Sequence, residues 1–118
     1  MINAPITSQY FESTCNIDSA RTDAKGHIEI TEAGLYTSLP CHAYNVSTTK
    51  LDQILGISNK GRYKFQFPLT FSEADVVIDE GYVIYWTDKR GVARELEIET
   101  IEYKDSHIEA EAAERNLV

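Results

Sequence analysis

The sequence predicts an all-β fold: a small closed or partly open antiparallel β-barrel of about six or seven short strands with one short helix. Three observations carry this. Short segments such as His27–Thr31 and Arg62–Phe67 alternate in polarity with the period of a strand. Turn-forming clusters such as Glu32-Ala33-Gly34, Asp79-Glu80-Gly81 and Lys89-Arg90-Gly91 separate them. Only one stretch has helical spacing. Closing the sheet on itself would leave no exposed strand edge. The 118 residues suit a single domain, 1–118, and their 42% hydrophobic and 25% charged content excludes a disordered chain, a coiled coil or a collagen-like chain. No window reaches the roughly 18 apolar residues of a membrane helix, and Met1–Pro5 lacks the basic-then-apolar pattern of a secretory signal.

In chain order, residues 1–9 are polar and interrupted by Pro5, and read as a flexible arm. Tyr10–Ile17 is aromatic and β-branched, a first strand; Asp18–Gly26 is small and polar, a loop. His27–Thr31 is a half-buried strand, Glu32-Ala33-Gly34 a turn, and Leu35–Val46 a further extended segment that Pro40 forces to an edge or a bend. Ser47–Gly56 is the helix: Ser47 or Thr48 caps it, Leu51, Ile54 and Leu55 share one face, and Gly56 ends it. With the loop that follows, it forms a helix-loop insertion over 47–61. Arg62–Phe67 is a strand ended by Pro68. Ser72–Asp75 turns into Val76–Ile78. Tyr82–Trp86 is apolar on both faces, so it is buried on both sides or covered by a partner chain. Thr87–Gly91 is a hairpin connection in which Gly91 supplies a positive φ. Leu96 and Ile98 share one face while Ile101 and Tyr103 fall on the other, which predicts a β-bulge near Glu99-Thr100. His107–Arg115 reads as a strand becoming a short helix where the alanines gather.

The net charge of −8 is concentrated late, with 7 basic and 13 acidic residues over 61–118. Phosphate binding needs the opposite field, so simple nucleic-acid binding is disfavoured, while duplex DNA could pass such a surface without sticking. Cys15, Cys41, His27, His42 and His107 show no zinc-type spacing, so neither metal nor other cofactor is expected. The two cysteines read as small reduced residues, with pairing between them left open. Cys41-His42 could form a nucleophilic dyad, but strand neighbours point to opposite faces. Glu95, Glu97 and Glu99 line one strand face at about 7 Å spacing, as paired acid–base carboxylates could; a solvated acidic stripe opposite Leu96 and Ile98 explains them better. Arg62-Tyr63-Lys64-Phe65 interleaves cations and aromatics like a single-strand platform, or is a core strand with snorkelling cations. Tyr63, Tyr82, Tyr85, Trp86 and Tyr103 exceed what a small core needs and are candidates for an interface between copies.

An ordered series of short motifs resembles the head-completion, or stopper, proteins of the head–tail connector of tailed bacteriophages. It runs from Asp23-Ala24-Lys25-Gly26-His27, through Gly34–Tyr44 with its Pro40-Cys41-His42, past the insertion, to Ala74–Val83 and His107–Ala110. Tyr82 stands where that family usually has Gly-Asp. The resemblance implies a non-enzymatic virion protein of the phage neck, assembled in the host cytoplasm. It would form a homo-oligomeric ring, hexameric in that family, between the portal or adaptor of the filled head and a tail terminator or tail protein. It would help retain packaged double-stranded DNA, with no sequence-specific binding and no membrane. On that reading Lys50, Asn59, Lys60, Gly61 and Arg62 form a gate or docking loop, and Glu95, Glu97, Glu99 and Glu102 an acidic channel wall. The rival readings are an acidic interaction module that mimics DNA charge through the same glutamates, and a small hydrolase built on Cys41 or His42.

Overall fold

In a computed structural model, residues 11–45 and 61–114 are described, and all of their regular structure is β. The arm over 1–9 and the predicted helix over 47–56 lie outside the described residues. Eight strands are present: β1 (Ser13–Thr22), β2 (Ile28–Asn45), β3 (Arg62–Phe67), β4 (Thr70–Phe71), β5 (Ala74–Asp75), β6 (Val83–Thr87), β7 (Ala93–Tyr103) and β8 (Ile108–Glu114). Six of them form one antiparallel sheet whose order, β1-β2-β3-β8-β7-β6, returns to β1 and so closes on itself. β4 and β5 form a separate small hairpin. Among the described residues no helix is long and apolar enough to cross a membrane.

Alternate residues of each strand fill the interior: Cys15 and Ile17, Leu39 and Cys41, Tyr63, Phe65 and Phe67, Ile84 and Trp86, Leu96 and Ile98, then Ile108, Ala110 and Ala112. β3 alternates without a fault, as its sequence requires. β8 stays a strand to Glu114, correcting the expected helical end. Its alanines sit opposite aromatics, Ala110 across from Phe65 and Ala112 across from Tyr63, so their small volume makes room for rings. That packing outweighs the helix preference of alanine. Phe65 stacks on Phe67 with centroids 5.8 Å apart. Among the described residues the interior of the closed sheet is therefore a packed core.

β1 and β2 depart most from expectation. The predicted loop over 18–26 is strand as far as Thr22, and the predicted turn at 32–34 lies inside an uninterrupted β2 of 18 residues. Pairing across the ribbon, Ala20 with Ile30 and Arg21 with Glu29, outweighs the poor strand preference of these residues. The turn signals are spent on irregularities within β2. Gly34 (φ 67°) and Ser38 (φ 55°) both take positive φ. Their N–H groups donate to Asp18 Oδ1 (2.7 Å) and Asn16 Oδ1 (2.8 Å) on β1. Pro40 faces Thr14 of β1, and β3 joins the other edge of β2 only from His42, so proline sits where no ladder bond is asked of it. In β7 the register with β8 shifts between Ile98 and Thr100, which is the bulge expected there. It returns Ile101 to the core side, opposite Ala110.

Residues 68–82 form a strap across one end of the closed sheet. Val76 and Ile78 point inward and are buried, while Val77 between them faces out. The strap is pinned by tyrosine hydroxyls. Tyr103 Oη accepts from the Ile78 N–H (2.9 Å) and donates to the Ile78 carbonyl (2.5 Å), and Tyr36 Oη accepts from the Val77 N–H (2.7 Å). Its β4–β5 hairpin turns on Ser72 (φ 53°) and Glu73 (φ 64°), the two positive φ values of a type I′ turn, occupied here by residues that strain to adopt them. The double replacement Ser72→Asn, Glu73→Gly is expected to raise stability by about 1–2 kcal/mol. Denaturant titration checks this, and an unchanged or lower midpoint contradicts the strain.

Candidate functional site

The strand ends opposite the strap form a rim. There β1 begins at Ser13, β2 ends at Asn45, β3 begins at Arg62, β6 ends at Thr87, β7 begins at Ala93 and β8 ends at Glu114. All three stretches outside the described residues, 1–10, 46–60 and 115–118, therefore attach to this one rim. Lys50, Asn59 and Lys60 lie outside the described residues. Gly61 and Arg62 are placed at the rim: the Gly61 carbonyl accepts from the Glu114 N–H (2.9 Å), and a β-carbon at Gly61 would stand 2.9 Å from Glu114 Oε1.

Arg94 organises this rim. Its Nε donates to Asp88 Oδ2 (2.9 Å), its Nη1 bonds Glu114, and its guanidinium carbon lies 5.5 Å from the centre of the Tyr63 ring. Asp88 in turn holds the β6–β7 turn, with Oδ1 accepting from the N–H groups of Arg90 (2.9 Å) and Val92 (3.0 Å), while Gly91 takes φ 83° as anticipated. The sequence analysis did not single out Arg94. The signal was available, since Arg94 is in phase with the core residues Leu96 and Ile98, so a cation had to sit at the mouth of the closed sheet. The Val92 N–H, together with Arg94 and the Arg90 N–H, holds the Asp88 carboxyl below the ordinary carboxylate range despite its partial burial. A lowered folded-state pKa stabilises the fold above the ordinary range, and the benefit is lost as pH falls through the folded value. Asp88→Asn is therefore expected to lower the melting temperature at neutral pH, with the difference from the unaltered chain vanishing in strong acid. A constant difference across that range contradicts the assignment.

The proposed interface aromatics divide. Tyr63 and Trp86 are only 6% and 7% exposed and stand edge-to-face with centroids 5.3 Å apart, so both belong to the core. Trp86 also donates from Nε1 to Ser13 Oγ (3.0 Å). Tyr85 is half-buried on the outer side of β6, and Tyr82 and Tyr103 stand at the strap end, away from the rim. The double-sided apolar character of β6 is met within the chain, since Val83 and Ile84 are both fully buried.

Glu95, Glu97, Glu99 and Glu102 lie on the outer side of β7. Cations from β3 and the β7–β8 turn reach Glu99 of this face and the carboxylates of the adjoining β8. Arg62 bridges Glu99 (3.0 Å) and Glu111 (3.9 Å), and Lys64 and Lys104 both reach Glu109 (3.2 and 3.6 Å). Burial pushes the Glu109 carboxyl up, but Lys64 and His107 outweigh it and hold that carboxyl below the ordinary range. The cations of Arg62-Tyr63-Lys64-Phe65 are thus committed to these glutamates while its rings fill the core. Cys41 is fully buried and His42 lies on the outer side, so the pair does not share a face. Cys15 and Cys41 are free thiols in mutual contact across β1 and β2; hydrogen bonding to Cys41 and burial both push the Cys15 thiol up, away from the reactive thiolate. Among the described residues no group of three His, Cys, Asp or Glu is arranged to hold a metal ion.

Set against protein-family models, characterised proteins and solved structures, the chain matches none.

Proposed function

We propose that this protein is a structural component of the neck of a tailed-phage virion: a barrel-like subunit of a ring that joins the portal or adaptor of the filled head to the tail. The observation that carries this reading is the closed six-strand sheet with a packed interior, whose strand ends at Ser13, Asn45, Arg62 and Glu114 share one rim. A connector subunit needs a rigid body to pack beside its copies and an end to present to the next ring, and this architecture suits both. The ordered motifs from Asp23-Ala24-Lys25-Gly26-His27 to His107–Ala110 support it. The acidic outer side of β7 suits a wall past which duplex DNA moves without being gripped. No catalysis is part of this role. The DNA-mimic alternative is weakened by the bridge from Arg62 to Glu99, which neutralises part of the carboxylate stripe it would need.

Electron microscopy of the purified chain mixed with portal and adaptor proteins of a tailed phage tests the proposal. The expected result is a cyclic annulus stacked on the adaptor ring. A chain that stays monomeric and indifferent to both overturns it.

A further inference from the structure

The strap end, away from the rim, carries an exposed surface of its own. Val77 is 62% exposed at its centre, although the residues on either side of it are buried. Tyr103, 53% exposed, and Tyr36 flank it through their bonds to Ile78 and Val77. Tyr82 completes the group, close enough to Tyr36, Tyr103, Asp79 and Glu32 for their charges and dipoles to bear on it. Tyrosines around an exposed aliphatic side chain are the composition of a docking centre, with large apolar area and polar tips that lose little freedom on binding.

The border of this patch fixes what can cover it. The strap contributes Glu73, Asp75, Asp79 and Glu80, all exposed, and no lysine or arginine occurs between Lys64 and Lys89. A second copy docking by the same face would set these carboxylates against their own kind. The nearby β1–β2 turn offers little compensation in another copy: its Arg21 and Lys25 are matched by Asp23 and Glu29, with Arg21 bridged to Glu29 (3.1 Å), so it carries no net positive charge. Duplex DNA is repelled for the same reason as a second copy. We propose that the strap end is a docking face for a different protein, one that sets an apolar side chain between the tyrosines and surrounds it with lysine or arginine. The inference stands whether or not the chain assembles into a neck ring.

The test places the photoreactive residue p-benzoylphenylalanine at position 77 of the full chain, in the cells that make the protein, with a charge-reversed variant as control. The expected result is an adduct formed from position 77. Its cross-linked peptide should map to a basic surface of another protein. Adduct yield should fall at least tenfold when Glu73, Asp75 and Glu80 are all changed to lysine, and should fall similarly at high salt. These three side chains are exposed, so an unchanged melting temperature shows that the variant remains folded. An adduct with a second copy of this chain, an adduct on an acidic surface, a yield that ignores the charge reversal, or no adduct from position 77 each overturns the proposal.

Discussion

Replacing Trp86 by alanine is expected to cost the isolated chain about 3–5 kcal/mol of folding stability. The indole is 7% exposed and packs edge-to-face on both Tyr63 (5.3 Å) and Phe65 (5.4 Å). Removing it leaves a void bounded by two aromatic rings fixed in β3, which cannot move inward to fill it. The Ser13 hydroxyl loses its donor as well. Urea unfolding followed by far-UV circular dichroism at low protein concentration measures the loss, and Trp86→Phe should recover part of it by keeping a ring. An isolated Trp86→Ala chain with its midpoint unchanged would mean that the indole serves a contact between copies and not the core.

The second large effect is expected at the strap. Ile78→Ala should cost about 2–4 kcal/mol, because a side chain only 1% exposed plugs the end of the closed sheet from a segment with no strand neighbour of its own. Tyr103→Phe removes the hydroxyl that serves both the N–H and the carbonyl of Ile78, and should cost about 1–2 kcal/mol. The two changes act on the same few residues, so the double variant should lose less than the sum. Strict additivity, or an Ile78→Ala loss below about 1 kcal/mol, would show that the strap is an ornament on a sheet that closes without it. Amide exchange at Val77 and Ile78 should quicken in both single variants while β3 stays protected.

Where burial and local pattern agree, the sequence was legible. Arg62–Phe67 alternates because one face meets only core, and the phase slip at Glu99-Thr100 could be satisfied only by an extra residue in the ladder. Gly91 was recognisable because a tight connection there needs positive φ. What escaped were decisions made by distant chain. Asp18–Thr22 looks like a loop in isolation and becomes strand because it finds Ile28–Glu32, while Gly34 is held in β2 by its N–H to Asp18 Oδ1. The alanines of β8 look helical until the rings of β3 are opposite them. At the rim, composition showed an aromatic surplus without showing which rings the core would consume; Tyr63 and Trp86 were consumed, and Tyr82 and Tyr103 went to the strap end. Arg94 went unnoticed because its partners Asp88 and Glu114 come together only when β6, β7 and β8 are side by side.

The seam between β1 and β6 has a kinetic consequence. Cys15 meets Trp86 across about seventy intervening positions, so this pairing cannot form until nearly the whole chain has been ordered. The β1–β2 and β6–β7 hairpins can form early and locally, and the circle can be zipped only afterwards, on the millisecond-to-second scale of topologically complex β proteins. In that interval each copy displays two raw strand edges that fit one another equally well between molecules. Refolding yield should therefore fall as concentration rises, with domain-swapped dimers as the by-product.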